Sequence, residues 1–212
     1  MNKSVHDRQT VCFDRVFTVL QDGGCCIYPT ETFFALGGSA LNSAAVDRIF
    51  SIKARPPSKP LPLIIGDAGQ LELLSARIRH ILTDLAERFW PGPPSILLPG
   101  RPGLPEGVRN REGLVCVRLS SHTGARSLCL NCGFPLTASS ANLSGGHPAA
   151  RLEQIDPDLC RRVDCILDSG EAPLGNAPST IIRITDTESL RIVRTGSITA
   201  KTLAEAGFRI VV

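Results

Sequence analysis

The sequence predicts a single α/β domain over residues 1–212, with a mixed sheet. Three observations lead there. The chain has 212 residues, long for one small domain and short for two full ones. It is 42% hydrophobic, enough to bury a proper core. Short apolar runs bounded by Gly, Pro and polar residues alternate with stretches of helical periodicity.

Taken in order, residues 8–21 read as an amphipathic helix stopped by Gly23 and Gly24. Residues 25–28, "CCIY", read as a short buried strand, and "PTETFFALGG" as a loop. "SAAVDRIFSIK" sets Val46, Ile49, Phe50 and Lys53 at helical spacing, with Asn42 or Ser43 as cap. Pro56 and Pro57 forbid its continuation. "LPLII" is the next strand, and Asp67 with Gln70 has capping-box spacing. Residues 76–89 read as a further helix ended by Pro91. "SILLP", "GLVCVRL", "PLTA", "VDCIL", "TIIRI", "LRIVR" and "FRIVV" read as strands, with helical stretches near 122–132, 151–160 and 200–206 between several of them. The hairpin-like run after residue 180 makes the sheet mixed rather than purely parallel.

Composition removes some classes. No run of eighteen apolar residues exists, so no transmembrane helix is expected, and "MNKSVHDRQTV" lacks the apolar core of a signal peptide. A cytoplasmic location without membrane contact is the expectation. The net charge of +3 says nothing about nucleic acid by itself, but residues 48–59 carry four cations and no acid. The eight cysteines mostly sit in apolar company and read as reduced core residues. "CLNC", Cys129 to Cys132, has redox or zinc-half-site spacing, yet no second pair or nearby His completes a metal site; the plainer reading is a buried helix face.

Polar segments at strand ends are where chemistry could lie. They are "YPTETF", the proline-stiffened loop "IKARPPSKP", "TASSANLSGG" and "APSTIIRI". The hydroxyls, amide and glycines of "SSANLSGG" could cradle phosphate, or form an ordinary turn. The loop with Lys53, Arg55 and Lys59 could be a solvated face or an anion site, since prolines reduce the entropy lost on ordering. No P-loop or dinucleotide glycine fingerprint is present. His6, His80, His122 and His147 are scattered, and no nucleophile signature occurs. An enzyme of this kind would work by positioning and charge stabilisation, as in phosphoryl or nucleotidyl transfer.

Taken together, the segments resemble the YrdC-type threonylcarbamoyl-adenylate synthases. "YPTET", the "KARP" loop followed by "KPLPLII", "FWPGPPSILL", "VCVRLSSH", "SSANLSG", "PSTIIRI" and "RTGSI" resemble that family's blocks in the right order, over roughly residues 10–198. The resemblance implies a YrdC-like fold: a twisted, mixed parallel and antiparallel sheet with surrounding helices and a concave positive crevice. It implies an enzyme of the short, single-domain form joining ATP, L-threonine and bicarbonate or CO2, with Mg2+ accompanying ATP. The product, threonylcarbamoyl-adenylate, would pass to tRNA threonylcarbamoyl-transferase proteins. It implies triphosphate contacts from Lys53, Arg55, Lys59 and Arg194, a crevice lined by Ser140 and Asn142 with Ser144 nearby, and a threonine side made by Thr32, Arg118 and Ser179. It implies no metal ligand from the protein and no covalent nucleophile or assigned general base.

The chain departs from the family's pattern at several points. Ala35 and Ala54 stand where the family usually has glycine, and "HPAA" replaces a Ser-Pro-Thr after "SANLSG". "GNAPST" is one residue longer than the usual spacing, and Arg183 replaces an acidic residue. Two other readings stay open. One is a module binding tRNA or double-stranded RNA, against which stands an aromatic content of only 5%. The other is a paralogue without synthase activity.

Overall fold

The computed structural model describes residues 10–75, 80–186 and 189–211. Its elements follow the chain as β1 (Thr10–Val11), α1 (Phe13–Gln21), β2 (Cys26–Pro29), β3 (Phe34–Gly37), α2 (Ser43–Lys53), β4 (Leu63–Ile65), α3 (Leu71–Leu74), α4 (His80–Phe89), β5 (Ser95–Pro99), β6 (Leu114–Leu119), α5 (Thr123–Cys132), β7 (Leu136–Thr137), β8 (Ser139–Ser140), α6 (Pro157–Arg162), β9 (Cys165–Leu167), β10 (Ile181–Ile184), β11 (Ser189–Arg194), α7 (Ala200–Glu205) and β12 (Arg209–Val211).

The strands form two sheets rather than one. A five-stranded sheet runs β1-β9-β2-β3-β8, and a seven-stranded sheet runs β12-β11-β10-β5-β6-β4-β7. Both mix parallel and antiparallel pairs: β2 lies parallel to β9 and antiparallel to β3, while β5 lies parallel to β10 and antiparallel to β6. The chain changes sheet between β7 and β8, across the single residue Ala138.

The sheets are pinned together at that crossing. Tyr28 is fully buried and its Oη donates to the Thr137 carbonyl at 2.6 Å. Thr137 and Gly38 exchange bonds, N–H to carbonyl at 3.0 Å and Gly38 N–H to Thr137 Oγ1 at 3.1 Å. Gly37 has no substitute here, because a Cβ would stand 1.9 Å from the Thr137 carbonyl oxygen.

Strand alternation explains the two cores. Cys25, Ile27, Phe34 and Leu36 point into one cluster with Val46, Ile49, Leu63, Ile96 and Val117. Cys26, Tyr28 and Ala35 point into another, with Val16 and Leu20 of α1 and Leu128 and Cys129 of α5. All four residues of β2 and of β3 are buried.

Helix ends follow local chemistry. Asn42 caps α2 by accepting from Ala45 N–H at 3.2 Å, and Thr199 caps α7 by accepting from Thr202 N–H at 3.1 Å. Asp67 accepts from Gln70 N–H at 3.1 Å, but the glutamine side chain returns to Gly66 N–H at 2.9 Å rather than to Asp67 itself. Seven cysteines are buried, Cys12 is exposed, and all are free. Cys129 and Cys132 lie on the buried side of α5, where burial pushes the Cys132 thiol up to about 11 and Cys129 higher still.

Four expectations need correction. The helix expected over 8–21 spans Phe13–Gln21, because Thr10 and Val11 pair with Ile166 and Leu167 of β9. The "loop" after Tyr28 contains β3, paired residue for residue with β2 from Cys26↔Gly37 to Pro29↔Phe34. The helix near 151–160 is divided into a short 3-10 turn, Leu152–Gln154, and α6, whose first residue is Pro157. The single sheet is two. Of the helix expected over 76–89, residues 80–89 are helical and 76–79 lie outside the described residues.

Helix α2 ends at Ala54, the one described non-glycine residue with positive φ, at φ 47° and ψ 43°. A Cβ in this left-handed region costs roughly 1–2 kcal/mol, while glycine loses about 0.5–1 kcal/mol more backbone entropy. Ala54 is exposed, so no packing offsets the difference. Ala54→Gly should therefore stabilise the fold by about 1 kcal/mol in urea unfolding; a loss of stability would show that the turn tolerates alanine without strain.

Candidate functional site

At Ala138, where the chain passes from one sheet to the other, the molecule has a cavity of about 260 Å³. The five-stranded side contributes Thr30, Thr32, Ala35 and Ser140, and the seven-stranded side contributes Ser95, Arg118, Ser179 and Arg194. Arg55, from the loop after α2, closes one edge.

The lining is cationic. Arg55, Arg118 and Arg194 all border the cavity. Burial lowers the pKa of Arg55, and the neighbouring Arg194 lowers it further. Partial desolvation lowers Arg194 as well; Cys116 opposes this and Arg118 adds to it. Guanidinium groups that disfavour one another's charge at a shared cavity create a site that an anion would relieve.

One carboxylate answers them. Glu31 Oε1 accepts from Arg118 Nη1 and Glu31 Oε2 accepts from Ser120 Oγ, with side chains only 7% exposed for Arg118 and 10% for Glu31. Arg118 Nη1 also reaches Thr32 Oγ1 at 3.3 Å. The turn carrying these groups closes through the Thr30 hydroxyl, which donates to the Phe33 carbonyl at 2.7 Å. On the far wall Arg194 folds onto Ser179, with Nη2 donating to its carbonyl at 2.7 Å and to its hydroxyl at 2.8 Å. Ser95 Oγ lies 3.1 Å from the same hydroxyl.

The cations of residues 48–59 do four different things. Arg48 pairs with Asp164, away from the cavity. Lys53 is 1% exposed and does not line the cavity; its ammonium donates to the carbonyls of Ser140 and Asn142, and its own carbonyl accepts from Ser144 N–H at 3.1 Å. It ties the "SSANLS" loop to the end of α2. Arg55 donates from Nε to the Lys59 carbonyl at 2.7 Å and from Nη2 to the Pro60 carbonyl at 2.9 Å, so it braces its own proline loop. Lys59 is exposed and outside the cavity lining. Of the three cations expected to face one anion, Arg55 lines the cavity in this structure, joined by Arg118 and Arg194 from distant strands.

The remaining expected residues divide in the same way. Thr32, Arg118, Ser140, Ser179 and Arg194 are brought together at the cavity. Asn142 shapes its loop instead, donating from Nδ2 to the Leu143 and Gly146 carbonyls at 2.7 and 2.8 Å, with Oδ1 buried and unpartnered. Ser144 is exposed and acts through its N–H on Lys53. Arg183 lies elsewhere, in a two-bond pair with Glu112 at 3.0 and 2.6 Å. His122 caps α5 through Nδ1, which accepts from Ala125 N–H at 3.3 Å. Sequence reasoning missed Glu31 and Ser95. The signals were there: the one acid among the hydroxyls of "YPTET", and a serine opening the buried strand "SILLP".

The sequence model of the Sua5/YciO/YrdC family, described as telomere recombination, matches residues 18–196. The chain belongs to this family. The match takes in every residue of the cavity. A threonylcarbamoyl-AMP synthase of Stenotrophomonas maltophilia is 38% identical over 177 residues, covering 80% of this chain and 91% of that protein. One from Pyrococcus abyssi is 36% identical over 167 residues, covering 79% of this chain; the chain spans about half, 49%, of that relative's length. The crystal structure of Pyrococcus abyssi Sua5 complexed with L-threonine superposes with a TM-score of 0.86 at 32% identity, covering 94% of this chain and 58% of that one. The Sua5/YciO/YrdC fold is thus present here as its α/β unit. Among the described residues no helix is long and apolar enough to cross a membrane.

Lys53 generates a pH prediction. Burial, with Arg55 adding, pulls it from 10.5 down to about 8. Between these values the unfolded chain holds more protons than the folded one, so the penalty of the buried charge is full below about 8 and gone above 10.5. The unfolding free energy of the wild type minus that of Lys53→Met should therefore rise across pH 8 to 10.5 and stay level below it. A level difference throughout that window would show the buried ammonium to be no worse off than in water.

Proposed function

We propose that this chain is an L-threonylcarbamoyladenylate synthase, forming threonylcarbamoyl-AMP and pyrophosphate from L-threonine, bicarbonate or CO2, and ATP. The observation that carries this reading is the meeting of three guanidinium groups with threonine and serine hydroxyls in one cavity where the chain crosses between the sheets. Relatives named threonylcarbamoyl-AMP synthase, at 36% and 38% identity, support it.

The threonine amine adds CO2 and sheds a proton to become a carbamate. A carbamate oxygen then attacks the α-phosphorus of ATP, the bond to the β-phosphate oxygen breaks, and pyrophosphate leaves. Both reactants are anions, so the cavity must offset their repulsion and hold them in line. Arg118 takes the threonine carboxylate by its planar fork, with Thr32 and Ser179 as hydroxyl partners. Arg55 and Arg194 take the phosphates, with Ser140 between the two sides and Lys59 at the outer rim. Lys53, Asn142 and Ser144 hold the loop that carries Ser140. Magnesium arrives with ATP as part of the substrate, since the cavity offers cations and hydroxyls and its nearest carboxylate is committed to Arg118 and Ser120. At about 260 Å³ the enclosed space falls below the roughly 300–1,000 Å³ of pockets that engulf drug-sized ligands. In this reading the amino acid and the reacting phosphates would occupy it, with the nucleoside toward the mouth. The adenylate would pass to proteins that transfer its threonylcarbamoyl group to tRNA.

The test is pyrophosphate release from MgATP and bicarbonate with and without L-threonine, with serine as control. Release should depend on threonine. Arg55→Ala and Arg194→Ala should each lower kcat/KM for ATP at least tenfold, about 1.4 kcal/mol of transition-state stabilisation. Absence of threonine-dependent release together with salt-sensitive RNA binding would replace this reading with a nucleic-acid module.

A further inference from the structure

Every fixed contact that Arg118 makes among the described residues leaves from one nitrogen. Its Nη1 donates to Glu31 Oε1 and to Thr32 Oγ1. The edge formed by Nε and Nη2 carries no hydrogen bond to the described residues, and Arg118 borders the cavity. That edge is the one that would take a ligand carboxylate with two parallel bonds.

Glu31 is itself held from three directions. Its second oxygen accepts from Ser120 Oγ, and Ser120 is fully buried. Its backbone carbonyl accepts from Leu174 N–H at 3.2 Å, and that of Thr32 accepts from Gly175 N–H at 2.9 Å. The turn behind it is closed by the Thr30 hydroxyl, which also accepts from Thr32 N–H at 3.3 Å. A carboxylate fixed at both oxygens and along its backbone can fix what it binds. An arginine has five donors and a long, flexible stem, so its face toward a ligand is defined only when one end is anchored.

We propose that Glu31 is a positioning residue: it anchors Arg118 by Nη1 so that the Nε–Nη2 edge is presented to the carboxylate of the amino-acid substrate. This rests on the synthase reading for the identity of the ligand, but not on turnover. Glu31 touches neither reactant, and its negative charge beside a carboxylate site costs affinity by simple repulsion. The proposal therefore requires that the gain from orientation exceed that repulsion.

The experiment compares binding of L-threonine and L-threoninamide, which lacks the carboxylate, by calorimetry on wild type, Glu31→Ala, Glu31→Gln and Glu31→Asp. Wild type should favour threonine over the amide at least tenfold. Glu31→Ala should lose most of that preference, and Glu31→Asp, which keeps the charge one methylene shorter, should retain it to within about threefold. Glu31→Gln keeps the shape and gives the answer if the alanine variant does not fold; its preference should also fall. In turnover the loss should appear in KM for threonine, with KM for ATP changed less than twofold. A preference unchanged or increased in both the alanine and glutamine variants would overturn the proposal and make Glu31 a competitor for Arg118. An equal loss of affinity for threonine and threoninamide would overturn it too, as a loss of structure alone. Because the readout is binding, threonine preference in a wild type that releases no pyrophosphate would count against the synthase reading and not against this one.

Discussion

The approach of the two sheets at Thr137 is the constraint on which the rest of the molecule depends. Tyr28 and Gly38 both bond to Thr137, and Gly37 leaves room for its carbonyl. A buried hydroxyl and carbonyl without partners would each cost about 1–3 kcal/mol, so satisfying them here selects a single register between the sheets. The cavity lies beside that crossing, at Ala138, and strand ends and turns line it: the Thr30–Phe33 turn, the loop after β8, and the segment leading into β10.

A second buried interaction turns that cavity into a site with a defined wall. Lys53 holds the carbonyls of Ser140 and Asn142 and receives Ser144 N–H on its own carbonyl. A short loop rich in serine, asparagine and glycine has little apolar surface of its own and would otherwise be mobile. The ammonium supplies in electrostatics what packing cannot. Its cost is the desolvation that brings its pKa down to about 8. Next to it, Ala54 accepts a left-handed backbone where the chain leaves α2.

Much of this was legible in the sequence. The strands of the seven-stranded sheet, the α2 cap at Asn42 and the order of the polar segments could all be read from apolar runs, caps and prolines. The β2–β3 hairpin could not, because its turn has no Asn-Gly or Gly-rich signal and is closed by the Thr30 hydroxyl. Nor could the division into two sheets: β7 and β8 are two residues each, and only the partners chosen on either side of Ala138 separate them. Lys53 is the instructive case. Its spacing from Val46 and Ile49 placed it on the buried stripe of α2, while its charge suggested an outward role toward an anion. Periodicity was the better guide, since a lysine at a buried position stays there when carbonyls are within reach of its amine. Glu31 was overlooked for the opposite reason: an acid in a polar turn looks solvated until the arginine from β6 arrives beside it.

These features share one direction. A buried lysine with a lowered pKa, a left-handed alanine and three guanidinium groups at a shared cavity each work against stability, and they occur within one region of the fold. Ion pairs such as Arg183 with Glu112 and Lys201 with Glu205 are ordinary surface contacts. A chain selected for stability alone would spread such costs or remove them. They are concentrated around a cavity whose cationic lining is only partly met by Glu31, and perturbed ionisation of this kind collects at functional sites. The cations divide by position: Lys53, held by two carbonyls, braces the wall, while Arg55 and Arg194, themselves braced by carbonyls, and Arg118, held by Glu31, border the cavity.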